Sequence, residues 1–362
     1  MSSGSLNEVI ASHRVILCCG SGGVGKTTTA AALALQAARA GRKAVVVTID
    51  PAKRLADALG LDALTNSPTT IDGPWPGELA ALMLDTERTF NDLVAKYAGS
   101  GDQAEKILDN RFYRNIAGAL SGTQEYMATE KLYELYDETD YDLIVVDTPP
   151  TRNALDFLEA PTRLTRFLDH RLYRMLTAPT RGLVKAVNVA AQGFLRSVGK
   201  VVGGEVIADA IAFFAAFEGM DEGFKDRAKR VATLLGATET AFVLVASPKA
   251  DTTEEAAFFA SKLREHDISV RALIVNRMHP DPGPGNPAAD RERAATFAGT
   301  SLGNLYTCLA DLRQISHSEA EHLSDLTAQV APAPVCKVAY LPFEVCDLDT
   351  LTRFAAALTE TG

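Results

Sequence analysis

The chain has few cysteines, and it contains no long uncharged apolar run. Its five cysteines are an odd number without a C-x-x-C pair, which excludes a disulfide framework. No uncharged apolar run reaches the ~18 residues that a membrane span needs, and residues 1–5 lack the basic-then-apolar layout of a signal peptide. The net charge of -10 argues against general affinity for nucleic acid. We therefore expect a cytosolic protein with no nucleic-acid partner.

The most informative segment is residues 20–27, G-S-G-G-V-G-K-T, which fits the phosphate-binding pattern G-x-x-x-x-G-K-[ST] at every fixed position. An apolar run before it predicts a buried strand, and an alanine-rich run after it predicts a helix, as this motif requires. The glycines let backbone N–H groups and the helix N-terminus face phosphate oxygens. Lys26 is expected to reach the β/γ oxygens and the Thr27 hydroxyl to take one position on Mg²⁺. The segment predicts a site for a nucleoside triphosphate.

Apolar, β-branched runs predict further strands at residues 43–49, 141–147, 241–246, 270–276 and 338–341. Their lack of strict alternation is typical of parallel strands buried on both faces. Two intervals without a strand pattern, 87–140 and 157–235, predict one inserted α-helical subdomain, which leaves 1–86, 141–156 and 236–362 as the nucleotide-binding core. The predicted fold class is α/β, with a doubly wound, mostly parallel sheet.

Polar side chains come directly after several of these strands. Ligands bind beyond the carboxyl ends of such sheets, and Asp50, Asp147 and Asn276 all fall there. A carboxylate at 147 is suited to hold Mg²⁺ directly or through water beside the phosphate loop. Asp50 is a candidate to orient or deprotonate the attacking water. It is equally a candidate to cap the helix after Pro51, and the local sequence leaves both roles open.

Five segments together resemble the ArsA-like ATPases, the family of the arsenite-pump ATPase and of the guided-entry ATPase that delivers tail-anchored membrane proteins. They are the phosphate loop, T-I-D-P-A-K-R-L-A-D at 48–57, D-T-P-P-T-R-N-A-L-D-F-L at 147–158, I-V-N-R at 274–277 and L-P-F at 341–343. They occur in the family's order across residues 15–358, and the pattern is most similar to the actinobacterial members. The resemblance implies a deviant P-loop NTPase fold, ATP and Mg²⁺ as cofactors, and a dimer.

The resemblance also implies a role for each matching residue. Asp50 and Lys26 would be catalytic, with Asp50 positioning the hydrolytic water, and Thr27 and Asp147 would serve Mg²⁺. Asn276, Pro342 and Phe343 would contact adenine. The loop residues predicted to bind the nucleotide are Gly20, Ser21, Gly22, Gly23, Val24, Gly25, Lys26, Thr27 and Thr28.

The chain departs from the family at three features. Ser21 stands where the family usually has a Lys that reaches a phosphate across the dimer, so we expect a homodimer or a heterodimer with a paralogous ATPase subunit that supplies this Lys. The C-x-x-C zinc site of the eukaryotic guided-entry ATPases is missing. The cysteines are dispersed, which disfavours a thiolate cluster for a metalloid and favours small core residues at all five positions.

The predicted helical insertion is locally basic. Between Pro161 and Lys200 there are eight basic residues and one acidic residue, so the net charge of this segment is +7. The segment forms either the solvated faces of packed helices or a basic surface that meets anionic lipid or a hydrophobic client helix. Four glycines of the insertion, Gly193, Gly199, Gly203 and Gly204, are predicted to let its helices shift. An adaptable apolar groove is predicted for Phe213, Phe214, Phe217 and Met220.

The nucleobase and the role of the protein are the remaining questions. Residues 248–251, P-K-A-D, nearly make the [NT]-K-x-D guanine reader, but proline lacks the first polar side chain, so ATP is favoured over GTP. We expect an ATPase that moves its helical subdomain to target or chaperone membrane proteins, as a cytoplasmic protein or at the membrane surface. The alternatives are the cytosolic motor of an anion or metalloid pump, with a membrane permease as its partner, and a non-catalytic partner of a sister ATPase.

Overall fold

A computed structural model describes residues 5–50, 53–111, 113, 123–149, 151–170, 209 and 212–360. The chain divides into two compact units. The first consists of Met1–Met83, Glu138–Leu155 and Gly236–Gly362, and the second of Leu84–Asp137 and Asp156–Leu235.

The first unit is built on one sheet of eight strands. These are β1 (Val15–Cys19), β2 (Lys43–Thr48), β3 (Thr69–Ile71), β4 (Glu78–Met83), β5 (Leu143–Asp147), β6 (Thr240–Ala246), β7 (Val270–Met278) and β8 (Val335–Ala339). Their order is β3-β4-β2-β5-β1-β6-β7-β8, and every pairing is parallel except the antiparallel β3–β4 pair. The predicted α/β class with a mostly parallel sheet is confirmed.

Helices flank the sheet and build the second unit. They are α1 (Leu6–Ser12), α2 (Lys26–Arg39), α3 (Arg54–Leu59), α4 (Thr86–Tyr97), α5 (Gly101–Leu108), α6 (Thr123–Glu138), α7 (Thr151–Asp169), α8 (Asp221–Leu235), α9 (Ala250–Glu265), α10 (Pro287–Thr296), α11 (Ser301–Val330) and α12 (Leu348–Glu360). All residues of α2 from 29 to 35 are buried. Five of these seven are alanine or threonine, and such short side chains let a helix approach its neighbours closely.

Two strands were missed by the sequence patterns, and one was misplaced. β4 reads E-L-A-A-L-M, a run of good helix formers, yet it pairs with β2 along its whole length and its central residues are buried. Tertiary pairing thus overrides local propensity. The last strand, predicted at 338–341, lies at Val335–Ala339. The other predicted strands are confirmed to within two residues at each end.

The second unit is helical in the residues that the structure describes, and a buried polar network lies inside it. Glu130 Oε1 accepts a hydrogen bond from the Tyr126 hydroxyl at 2.5 Å, and Oε2 accepts one from Arg227 Nε at 2.8 Å. The Arg227 guanidinium also lies 4.2 Å from the ring centroid of Tyr133. Burial raises the pKa of Glu130, while these hydrogen bonds and Arg227 lower it. Glu130 and Arg227 therefore join α6 to α8 as a buried ion pair, and removing either partner would leave an unpaired buried charge.

The aromatic residues predicted to line a groove lie mostly inside this unit. Phe213, Phe217 and Met220 are 6%, 7% and 1% exposed, and the ring centroids of Phe213 and Phe217 are 4.9 Å apart. These three side chains are therefore buried and do not line an open surface among the described residues. Only Phe214 is half-buried, 6.2 Å from the ring of the exposed Phe167. The four glycines predicted to let helices shift, and the predicted basic segment beyond residue 170, lie outside the described residues.

In the described part of the basic segment, Arg163 forms ion pairs on its own helix. Arg163 in α7 lies 2.6 Å from the Asp156 carboxylate and 2.9 Å from that of Glu159. Such pairing is typical of a solvated helix face.

No helix in the described part of the chain is long and apolar enough to cross a bilayer.

Candidate functional site

The phosphate loop joins β1 to α2 in a conformation that requires glycine. Gly23 and Gly25 have φ of 78° and 98°, in the left-handed region. At Gly20 the constraint is space, because a Cβ there would lie 2.1 Å from the Val245 carbonyl oxygen of β6. The loop therefore lies against the carboxyl end of β6 and passes directly into the N-terminus of α2, where backbone N–H groups lack helical partners.

Lys26 lies near the end of this loop, and its side chain reaches back to the beginning of the loop. Its Nζ donates a hydrogen bond to the Ser21 carbonyl oxygen at 2.8 Å, and the residue is 8% exposed. Burial lowers the pKa of Lys26, and the nearby Asp147 carboxylate acts in the opposite direction. A buried ammonium group at a helix N-terminus is suited to bind an anion, which would supply the counter-charge that water cannot.

Asp147, at the carboxyl end of β5, is brought against Thr27. Its Oδ2 accepts hydrogen bonds from Thr27 Oγ1 at 2.6 Å and from Thr48 Oγ1 at 3.0 Å. Its Oδ1 is buried without a hydrogen-bond partner among the described residues. Burial raises the pKa of Asp147, and the Thr27 hydrogen bond and Lys26 lower it. An orphaned carboxylate oxygen beside a hydroxyl offers the hard oxygen ligands that Mg²⁺ takes, so these residues fit that ion.

Thr48 is a site residue for which the sequence patterns predicted no role. Its hydroxyl donates to Asp147 Oδ2 and accepts a hydrogen bond from the Asp50 N–H at 3.2 Å. In the sheet register Thr48 is paired directly with Asp147. One hydroxyl thus ties together the two acids that were predicted separately. The sequence signals were that Thr48 is the polar residue closing β2 and the first residue of the segment at 48–57. Its partner Asp147 depends on the strand order.

Asp50 follows β2, and its side chain is half-buried. Its Oδ2 lies 3.6 Å from Arg54 Nη1. Helix α3 begins at Arg54 and has Lys53 at its N-cap position. Lys53, and not Asp50, is therefore the N-cap residue of α3, while a contact of Asp50 with the residues between them lies outside the described ranges. Its predicted role toward water stays a prediction.

The residues predicted to contact adenine lie beyond two neighbouring strands. Asn276, in β7, is buried, and its Nδ2 donates to the Val24 carbonyl oxygen in the phosphate loop at 3.0 Å. Pro342 and Phe343 follow β8, which pairs with β7, and the guanidinium carbon of Arg353 lies 3.7 Å from the Phe343 ring centroid. The structure thus brings Asn276 to the loop, while a contact of these residues with adenine stays a prediction.

Ser21 and the cysteines complete the departures found in the sequence. Ser21 is buried, and its Oγ has no hydrogen-bond partner within the described ranges. Cys18, Cys19 and Cys336 are buried in strands, and burial raises the pKa of Cys19 to about 12, so this thiol stays protonated. The prediction that all five cysteines are core residues is wrong for Cys308 and Cys346. Both are exposed, because they lie on the outer surface of α11 and in the loop before α12.

The sequence of this chain is similar to those of known ATPases. The sequence model of the anion-transporting ATPase (ArsA) family matches residues 13–294. The protein named ATPase GET3 in Podospora anserina is 29% identical over 278 residues, covering 75% of each chain. ATPase GET3 of Phaeosphaeria nodorum is 27% identical over 275 residues, covering 73% of this chain and 76% of the relative. ATPase get3 of Aspergillus niger is 27% identical over 270 residues, covering 73% of both.

Proposed function

Since this chain belongs to the anion-transporting ATPase family and is an ATPase, we propose that it hydrolyses Mg-ATP at the phosphate loop to drive its helical unit in the targeting or chaperoning of membrane proteins. The observation that carries the catalytic part is the convergence of Lys26, Thr27 and Asp147. A buried cation, a hydroxyl and a carboxylate with one unpartnered oxygen meet at the N-terminus of α2. This is the donor set that a triphosphate and its metal require.

Each side chain has a task in this proposal. Thr27 and Asp147 would hold Mg²⁺, which would neutralise part of the phosphate charge. Lys26 Nζ exchanges the Ser21 carbonyl for phosphate oxygens, and the loop N–H groups bind the remaining oxygens. Asn276, Pro342 and Phe343 hold the adenine. Because the burial of Lys26 and Asp147 penalises their charges in the free protein, charged ligands are favoured there.

In this proposal Asp50 orients the attacking water. Thr48 keeps Asp50 at a fixed position relative to the metal-binding residue Asp147. The Thr48 hydroxyl bonds both the Asp147 carboxylate and the Asp50 N–H. A shift of the metal-binding acid is therefore transmitted to the backbone of Asp50 through one hydroxyl. We propose that the segments after Asp50 and Asp147 act as switches that respond to the γ-phosphate.

The helical unit, Leu84–Asp137 and Asp156–Leu235, is the part proposed to act on a client. We assign it to the predicted subdomain at 87–140 and 157–235, and we propose that it binds hydrophobic membrane-protein segments. Three relatives are named ATPase GET3 or get3, which supports targeting over other uses of ATP. The charge of +7 between residues 161 and 200 suits contact with anionic lipid during delivery. We place the protein in the cytoplasm and, during delivery, at the membrane surface.

The pump motor is the second candidate function. The family's own description, anion-transporting ATPase, favours it. In that case the partner is a membrane permease instead of many different clients. A non-catalytic role beside a sister ATPase is the third candidate, motivated by Ser21. Native mass measurement of the cellular complex tests this point, and a complex containing only active homodimers would remove the heterodimer.

The decisive experiment is affinity capture with the Asp50→Asn variant, which is expected to bind Mg-ATP and stall before hydrolysis. Lys26→Ala, which should not bind nucleotide, is the matched control. Diverse membrane proteins captured only by Asp50→Asn would support targeting, and a single permease would support the pump. If wild-type protein neither binds nor hydrolyses Mg-ATP, alone or with its sister subunit, the catalytic proposal fails.

A further inference from the structure

Two residues other than glycine have a left-handed backbone among those the structure describes. They are Asp267, with φ of 60°, and Arg277, with φ of 62°. Asp267 follows the end of α9, and the Ile268 N–H returns to the Leu263 carbonyl, as is usual where a helix terminates. Arg277 lies within β7, where no helix ends. Because an arginine side chain disfavours this conformation, its presence in a strand points to a task.

The left-handed turn changes how β7 ends. Register between β7 and β8 shifts between Val275 and Met278, and the Arg277 N–H donates to Asn276 Oδ1 at 2.9 Å. The opposite end of the same amide, Asn276 Nδ2, donates to the Val24 carbonyl at 3.0 Å. These two partners fix the orientation of the amide, because a flip would oppose oxygen to oxygen and N–H to N–H. The turn at Arg277 therefore aims the Asn276 donor at the loop.

Packing at Gly25 supports the same relationship. A Cβ at Gly25 would lie 2.4 Å from Asn276 Nδ2, so the amide lies directly against the loop backbone. Asn276 belongs to β7 and the loop follows β1, with β6 between them in the sheet. Val24 is buried, so its carbonyl has little access to water if the amide is removed. The Asn276 side chain thus crosses the end of β6 to contact the loop.

We propose that Asn276 is a positioning residue for the phosphate loop, and that the left-handed backbone of Arg277 holds it in place. The proposal rests on the proposed binding of a triphosphate at this loop. By bonding the Val24 carbonyl, the amide keeps that oxygen fixed and leaves the neighbouring loop N–H groups free for phosphate. The second N–H of Asn276 Nδ2 remains for a nucleobase, so the hydrogen bond to Val24 does not compete with an adenine contact.

Inorganic tripolyphosphate is the discriminating probe, because it carries the phosphates without a base. Calorimetric titration with Mg²⁺ present would compare ATP and tripolyphosphate for wild type and Asn276→Ala, with circular dichroism to verify folding. Loss of one neutral buried hydrogen bond should weaken tripolyphosphate binding about three- to tenfold, and ATP binding by at least the same factor because ATP also loses its proposed adenine contact. Weakening of ATP alone would overturn the proposal, since it would make Asn276 only a base reader. Unchanged binding of both ligands would overturn it too.

Backbone variants give a second, independent test. Arg277→Gly, which tolerates the left-handed region, should retain tripolyphosphate binding, whereas β-branched Arg277→Val should weaken it. Asp267→Val is the matched control, because it has a similar backbone penalty in the turn between α9 and β7 and should lower the melting temperature only. Equal binding by both Arg277 variants, or equal weakening in Asp267→Val, would contradict the proposal. If wild type binds neither ligand, the proposed function itself fails.

Discussion

Replacing Thr48 by valine tests the link between the two acids most directly. Valine matches threonine in shape but lacks the hydroxyl that donates to Asp147 at 3.0 Å and accepts from the Asp50 N–H at 3.2 Å. A hydrogen bond to a charged group contributes about 1.5–3 kcal/mol. Thr48 is fully buried, so water cannot replace its hydroxyl at Asp147. We therefore expect the free energy of unfolding to fall by about 2 kcal/mol.

Hydrolysis should be affected as well, because Asp50 loses the contact that holds its backbone. If about the same free energy is lost in the transition state, kcat falls roughly ten- to a hundredfold. The assays are urea unfolding and steady-state Mg-ATPase measurements on wild type, Thr48→Val and Thr48→Ser. Serine keeps the hydroxyl and should retain most of the activity. A Thr48→Val protein as stable and as active as wild type would refute the reasoning, as would a serine variant as defective as valine.

Three further predictions use other parts of the structure. Gly20→Ala places a Cβ 2.1 Å from the Val245 carbonyl and should lower stability by about 1–3 kcal/mol. Gly22→Ala meets nothing within 4 Å, so its melting temperature should match wild type, and equal melting of the two variants would contradict this packing. Arg227→Met leaves the buried Glu130 carboxylate unpaired and should cost about 3–5 kcal/mol at pH 7, measured by urea unfolding. Burial raises the folded-state pKa of Glu130, so Glu130 takes up a proton at higher pH in the folded protein than in the unfolded chain. The deficit of Arg227→Met should therefore shrink as pH falls toward 5 and grow as pH rises, and a deficit independent of pH, or one unchanged by adding Glu130→Gln, would count against this account.

Much of the fold could be read from local patterns. β1, β5 and β6 are continuous apolar runs because both of their faces are buried, and such runs are recognisable without knowing their neighbours. β4 was missed because its sequence favours a helix and only its pairing with β2 makes it a strand. Phe213 and Phe217, which were offered as groove residues, are buried, and the sequence could not show this for a related reason. Aromatic residues at helical spacing fit a groove or a core equally well, and only packing decides between them.

The phosphate loop could be identified from residues 20–27 alone, because its glycines, lysine and threonine act within eight consecutive positions. Contacts between distant segments were beyond such patterns. Thr48 and Asp147 are 99 positions apart, and Asn276 and Val24 are 252 apart. These contacts exist because β2 lies beside β5 and because a left-handed turn at Arg277 aims one amide across β6. Strand order and backbone handedness arise from the packing of the whole sheet, so tertiary structure alone determined which side chains support the loop.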